Sequence, residues 1–326
     1  IIYQYFQKDV LNLKFDELDI NKWEDFESKS IDLTPFDKFS WKKIWVNSFD
    51  ENYNYQLAYN NNFFIPIKIL NDHATFIGDK DVVDYNNLLS KENNIDDFLD
   101  LLNKIFQTKI SKLSLYSISE DSHFFSNFKN SKLENLYKVN IQEEDVSPYL
   151  LLPETWDEYL MNLSKKRRHE IKRKIRRFEE NFDFSSGDHN SIDNFEEIFD
   201  DFIRLHKLSS DEKNLFMNSD REKFFKELIY KFLSENNLLY SYLKVENQTV
   251  ACSISFSQNN IRYLYNSGFD PKYIKHSTGL INHLFAIKRS IENKYEIFDF
   301  MRGNERYKYD LGGIDKKVYS VLLERK

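Results

Sequence analysis

The sequence predicts an α+β protein of two domains, each a mixed sheet flanked by helices. Its 326 residues suit two domains of roughly 100–200 residues each. Hydrophobic residues make up 41% of the chain, with 29 Phe and 20 Tyr, enough for a real core and against global disorder. Both halves place an early amphipathic helix ahead of later strand-length apolar runs, which permits a duplicated fold.

In the first domain, 1–147, Thr34 is expected to cap a helix with Pro35 at its first position. Trp41, Ile44, Trp45 and Phe49 then share one helical face. Apolar runs at 55–59, 63–70 and 74–77 read as strands, 95–106 as an amphipathic helix, and 112–118 as a further strand. Residues 132–141 and 149–152 read as extended.

The second domain, 148–326, begins at Ser147-Pro148. Thr155-x-x-Glu158 forms a capping box for a helix carrying Trp156, Tyr159, Leu160 and Leu163. Ser164 caps the next helix, 164–181, whose Ile171, Ile175 and Phe178 repeat at helical spacing. Two more helices fit 192–208 and 221–234. The period then changes: 238–245, 249–257 and 261–267 read as a three-strand meander with short polar turns. A helix from Ser277/Thr278 to about 293, a strand at 297–301 and a closing strand at 317–323 complete the chain.

Charge is unevenly distributed. The net charge is −7, yet the thirteen residues 165–177 hold nine Lys/Arg against one Glu. A basic helix on an acidic body points to a local anionic partner rather than a general nucleic-acid coat. Glycine is as uneven. Only 7 glycines occur, and five of them (Gly268, Gly279, Gly303, Gly312 and Gly313) fall in the last sixty residues. The chain has neither G-x-x-x-x-G-K-[ST] nor G-x-G-x-x-G, so P-loop and Rossmann nucleotide sites have no support.

The single cysteine, Cys252, lies in an apolar stretch and reads as a buried small hydrophobe. One cysteine makes neither an intrachain disulfide nor a cysteine zinc cage, and no metal-ligand spacing occurs among the seven histidines, so no metal is expected. No run approaches the roughly 20 apolar residues of a membrane span. A cytoplasmic protein is the expectation.

Two stretches carry chemistry. In the first, the strand Tyr263-Leu264-Tyr265-Asn266-Ser267-Gly268 feeds His276-Ser277-Thr278-Gly279-Leu280. A strand running into a helix N-terminus presents unpaired N–H groups and the positive end of the helix dipole, a site for a pyrophosphate. Gly279 admits a phosphate to the backbone, Ser277 and Thr278 add hydroxyls, and Lys275 adds charge. The second stretch runs from Phe298-Asp299-Phe300-Met301-Arg302-Gly303 through Asn304-Glu305-Arg306-Tyr307-Lys308. There a strand ends in a polar, glycine-punctuated loop, the kind of place where open sheets put their chemistry.

Taken together, these stretches resemble the acetyltransferase family grouped with the CelD/BcsL proteins of cellulose biosynthesis, a branch of the GNAT superfamily. Trp156-Asp157-Glu158-Tyr159-Leu160, Ser164 to Arg168, Arg204-Leu205-His206 and Gly268-Phe269-Asp270-Pro271 carry the resemblance with them. So do Pro35-Phe36, Trp41, Trp45, Ile65-Pro66-Ile67 and Asp84-Tyr85-Asn86-Asn87-Leu88 in the first half. The run Asp-Phe-x-Arg-Gly-x-Glu-x-Tyr-Lys is the most specific part.

The resemblance implies tandem GNAT-like domains, as in the related FemABX peptidyl transferases. The first domain would be structural or acceptor-binding and the second catalytic. It also implies N-acyl transfer from acetyl-CoA or another acyl-CoA to the amine of an amino sugar or similar envelope-polysaccharide compound. One departure stands out: of the GNAT pattern Gln/Arg-x-x-Gly-x-Gly/Ala only Gly279 remains, with Lys275 and Thr278 nearby. FemABX relatives use aminoacyl-tRNA, so that donor is the alternative; a non-catalytic binding protein on the same fold is a third reading.

Acyl transfer needs a base for the amine and an acid for the leaving thiolate. Asp299 or Glu305 is the expected base and Tyr307 the acid. Lys275, Ser277, Thr278 and Gly279 are the expected donor-binding residues. Arg168, the family's recurrent arginine, is assigned to the acceptor with Arg302 and Lys308. His206 reads first as a structural partner and is kept as an acceptor-binding candidate.

Overall fold

Polar caps and apolar faces set the element boundaries in the computed structural model, which describes residues 13–49 and 52–326. Two units form, Ile1–Asp145 with Lys316–Lys326, and Val146–Asp315.

The first unit contains helices α1 (Ile20–Lys29) and α2 (Phe39–Phe49), then strands β1 (Asn54–Tyr59), β2 (Phe63–Leu70), β3 (His73–Phe76) and β4 (Leu89–Ser90). Helix α3 (Ile95–Phe106), strand β5 (Lys112–Ser119), helix α4 (Ser131–Leu136) and strand β6 (Tyr137–Val146) follow. Thr34 and Asp37 make a reciprocal capping box around a 3-10 turn, Pro35–Asp37, and α2 starts only at Phe39. The predicted start was therefore right in chemistry and four residues early in place. Residues 132–141 were expected to be extended throughout. Instead the Asn130 side chain accepts from the Lys132 N–H and starts α4, with Leu133 buried beneath it, and the strand begins only at Tyr137. A helix of six residues has too little repeat to read from sequence.

The second unit contains β7 (Tyr149–Leu151), α5 (Trp156–Asn162), α6 (Lys165–Asn181) and β8 (Phe184–His189). Helices α7 (Phe195–Ser209), α8 (Asp211–Phe216) and α9 (Ser219–Ser234) come next. The meander is β9 (Leu238–Val245), β10 (Gln248–Gln258) and β11 (Ile261–Phe269); α10 (Thr278–Glu292), β12 (Ile297–Asp299) and α11 (Arg306–Asp310) close the unit. Its sheet runs β7-β12-β11-β10-β9-β8, antiparallel except for the β11–β12 pair. Residues Thr249–Phe256 of β10 are buried without alternation, so helices cover both faces of the sheet centre.

A last strand, β13 (Lys317–Arg325), lies in the sheet of the first unit, whose order is β1-β2-β3-β5-β13-β6. It pairs antiparallel with β5, and Val321 and Leu323 enter that unit's core. The sequence expectation keeps 148–326 together, whereas β13 joins the first unit's sheet; a strand's apolar pattern says nothing of which sheet takes it.

Glycine scarcity is met by asparagine. Asn52, Asn71, Asn236, Asn247, Asn259 and Asn260 all take positive φ, and the last two make the tight β10–β11 turn. Gly268 is the exception that no side chain could replace: a Cβ there would run into the backbone of Leu205 and His206, because α7 lies directly on β11. Among the described residues no helix is long and apolar enough to cross a membrane, and none of the His, Cys, Asp and Glu side chains group in threes to hold a metal.

Candidate active site

The sheet of the second unit opens into a fork between β11 and β12. Its parallel pairing with β12 spans only Ile261–Tyr263 against Ile297–Asp299, after which β12 ends and β11 continues to Phe269. The β10–β11 register slips here: Ile254 faces Asn266 and Ser255 faces Leu264, so Tyr265 is the extra residue of a β-bulge. Bulges re-aim side chains and are common beside active sites.

The chain leaving β12 is held tightly. Asp299, buried, accepts from the Met301 N–H (2.8 Å) and from the Ser147 hydroxyl (3.4 Å). Met301 sits at φ 63°, a left-handed conformation that bulky residues avoid unless their surroundings enforce it. Lys308 supplies the enforcement. Only 2% exposed, its ammonium donates to the carbonyls of Met301 (2.9 Å), Arg302 (2.8 Å) and Gly303 (3.0 Å). Three protons meet three carbonyls, and Glu305 pairs with the same nitrogen at 2.9 Å. Lys308 thus clamps the loop, while Glu305 keeps a carboxylate 57% open to solvent.

Tyr307 stacks on His283 of α10 (5.3 Å between rings) and meets Phe300 edge-on. Burial, helped by the Glu305 charge, raises its hydroxyl above the usual tyrosine range, so it stays protonated. His283 is itself buried, and burial with the nearby Lys213, Arg262 and Lys308 cations lowers it to about 3. His206 on α7 behaves alike: burial and Lys213 bring it to about 3, and its ring hydrogen-bonds the Asn266 side chain. Both are neutral imidazoles at physiological pH, and both leave Nδ1 without a partner. Lys213 of α8 donates to the Ser267 carbonyl at 2.5 Å, and burial lowers it below the usual lysine range against the pull of Cys252 and Glu305. Lys213, His206, His283, Glu305, Tyr307 and Lys308 therefore share one electrostatic neighbourhood at the fork.

A groove of about 870 Å3 lies between α6, the start of α10 and α11. Lys166, Arg173 and Lys174 line it from α6 together with Glu170, which pairs with Arg173 (2.8 Å) and Lys174 (3.7 Å); Leu280 lines it from α10, and Arg306 and Asp310 from α11. Ser277 precedes α10 in a left-handed conformation (φ 57°), and its hydroxyl receives the Lys174 ammonium at 2.7 Å. A cation is thus fixed at the helix end whose first N–H groups, from Thr278 to Leu280, have no intrahelical acceptor. Thr278 is buried with its hydroxyl unpartnered. Gly279 has ordinary clearance, since an added Cβ would meet Phe269 at 3.4 Å. Lys275 is exposed on the turn before α10. Arg168 donates to the carbonyls of Leu160 and Met161 (3.5 and 3.4 Å) at the end of α5.

The groove and fork occupy one recognisable stretch of chain. Residues 165–309, from the first residue of α6 into α11, match the family model of the acetyltransferase (GNAT) domain. This stretch is a GNAT-type acetyltransferase domain. The chain is accordingly an acyl-transfer enzyme.

Sequence comparison finds no significantly similar curated protein. In fold, the chain resembles a conserved protein of unknown function from Bacteroides thetaiotaomicron (TM-score 0.65, 13% identity, covering 94% of this chain and 98% of that one). It also resembles FemX (0.61, 10%, 93% and 96%). A third likeness is to the C-terminal domain of a putative lysylphosphatidylglycerol synthetase from Agrobacterium fabrum (0.58, 10%, 93% and 90%). At such identities these likenesses concern the fold.

Within the GNAT-type domain, the structure brings Glu305, Tyr307, Lys308 and His206 to the fork and puts Lys275, Ser277, Thr278 and Gly279 at the helix end beside the groove. Asp299 stands under the fork with a carboxylate oxygen engaged. Arg302 lends its carbonyl to the Lys308 clamp. Sequence reasoning missed Lys174, Lys213 and His283. Lys174 was one cation among nine in its helix, and its partner Ser277 lies 103 residues away. His283 falls on a buried helical face where the pattern shows only that it points inward.

Proposed function

We propose that this protein transfers an acyl group, acetyl in the first instance, from acyl-CoA to the amine of an amino sugar or related building block of an envelope polysaccharide. The observation that supports the reading most is how α11 joins the two features: Arg306 lines the anion groove, and Tyr307, the next residue, stands at the fork. A donor whose phosphates rest on Lys174, Ser277 and the N–H groups of Thr278, Gly279 and Leu280 would reach the fork with its acyl end. Lys275 adds a cation at the rim.

At the fork Glu305 is the favoured base, because its carboxylate is open to an acceptor whereas Asp299 already accepts from a backbone N–H and a hydroxyl. The attacking nitrogen forms the bond to the acyl carbon and gives its proton to Glu305. The carbon–sulfur bond breaks, and Tyr307, held protonated, returns a proton to the sulfur. Lys308 serves by shaping the loop, and Arg168, Arg302 and His206 are left to the acceptor. Calorimetry with acetyl-CoA and CoA tests the donor; absence of binding by both sinks it.

The second reading, aminoacyl transfer from charged tRNA, is favoured by one observation. Lys165, Lys172 and Arg177 of α6 are exposed and have no carboxylate partner among the described residues, so the basic surface is larger than the groove needs. Filter retention of tRNA, lost at high salt, would support it; indifference to tRNA removes it.

A further inference from the structure

Among the described residues no strand covers β11 beyond Tyr263 on the side away from β10. The Asp270 N–H bonds the Val250 carbonyl at 2.8 Å, so the alternation of a strand turns Phe269 and Ser267 the other way, into the fork. An exposed row of such groups is a template for any extended chain that carries amides. Here side chains fill the row instead. Ser209 Oγ accepts from the Phe269 N–H (2.8 Å), its own proton going to the Leu205 carbonyl (2.7 Å). Lys213 donates to the Ser267 carbonyl (2.5 Å), and Asn266 Oδ1 accepts from the Ser267 N–H (3.2 Å).

We propose that Lys213, with Ser209, controls which donor arm reaches β11: it holds the position that an extended, amide-bearing arm needs, and α8 draws back when such an arm binds. The proposal rests on the acyl-CoA reading above and deepens it. Three features make α8 movable. It has six residues, too few to be stable as an isolated helix. Its apolar anchorage is confined to one end: Leu215 is 80% exposed, while Phe216 at the last position meets His206 and Phe225 at 6.0 and 6.5 Å between rings. The Lys213 stem is long, and Glu305 acts on its ammonium, so the charge has a carboxylate to turn towards when it leaves Ser267. Ser209 closes the last turn of α7, with only Ser210 between it and the first residue of α8.

The test compares CoA with adenosine 3′,5′-bisphosphate, which lacks the arm, by calorimetry on the wild-type chain, Lys213→Met and Lys213→Arg. Lys213→Met keeps the stem and loses the ammonium. It should tighten CoA by about two- to tenfold, the worth of one hydrogen bond, and leave the bisphosphate unchanged, while Lys213→Arg should behave as wild type. Hydrogen exchange across 210–217 should rise in the wild type when CoA binds. Equal changes for both ligands, or CoA binding unaffected by Lys213→Met, overturn the latch while the donor reading stands. If neither ligand binds any of the three chains, the donor reading fails and the latch with it.

Discussion

Glu305 and Lys308 form one ion pair but carry different duties. Lys308 is saturated by three loop carbonyls, whereas Glu305 is exposed. Glu305→Gln should therefore lower kcat by about 10²-fold or more, the usual worth of a general base, with the melting temperature little changed. Lys308→Met should lower both, because Met301 loses the contacts that hold its left-handed backbone. Activity and thermal melts on the pair separate the two roles; a Glu305→Gln enzyme with full kcat removes Glu305 as base. The glycines divide in the same way. Gly268→Ala should cost about 1–3 kcal/mol in urea unfolding, the range for forced overpacking, since backbone stands where the Cβ would go. Gly279→Ala has room and should unfold as wild type. Sequence alone marked Gly279 as admitting a phosphate to the backbone, and Gly268 only as one of five late glycines. It could not say that for Gly268 the neighbour is the chain's own α7.

Among the elements, those with full caps and repeats were legible and the short polar ones were not. Thr155 and Ser164 cap α5 and α6 as their sequence patterns require, and Ile171 and Phe178 bury the expected face. Helices α8 and α11, five or six residues each, are too short to show a repeat, and β8 reads Phe-Ser-Ser-Gly-Asp-His, with no apolar alternation. The cost was functional, since α8 carries Lys213 and α11 carries the groove's Arg306; Tyr307, also on α11, was legible from its motif without the helix. The basic helix was noticed for its charge; what the sequence could not supply was its neighbour across the groove. If α6 and α10 hold the donor's phosphates together, Lys174→Met with Arg306→Met should weaken CoA by tenfold or more and flatten the salt dependence of binding. Titrations at low and moderate salt check this; an unchanged salt slope would place the phosphates elsewhere.

For the whole molecule, buried charge sets the response to acid. Asp188 lies against Arg262 (2.9 Å) and Arg289 (2.8 Å), whose charges outweigh the burial that would raise it and hold its carboxyl at about 2. The stability it adds is present above about pH 4, the unfolded value, and is lost as pH falls towards 2. His206 and His283, both held at about 3, are depressed too. The unfolded chain protonates them near pH 6.5 while the folded one does not, so stability declines as pH falls from there towards 3. The urea midpoint should thus drop between pH 7 and 4.5, and His283→Asn should make that drop shallower. A slope that His283→Asn leaves untouched would show that this imidazole titrates normally. At this scale the α+β class and the order of helices, meander and closing strands were readable from periodicity. The destination of β13 was not, because strand pairing is a long-range choice that its own residues do not record.

Calorimetric titration of CoA into the wild-type chain and into the Lys174→Met, Arg306→Met variant decides whether the groove between α6 and α10 receives the donor's phosphates. One equivalent should bind the wild type, with affinity reduced tenfold or more in the variant; no heat from the wild type, or equal affinity in both, would contradict that placement.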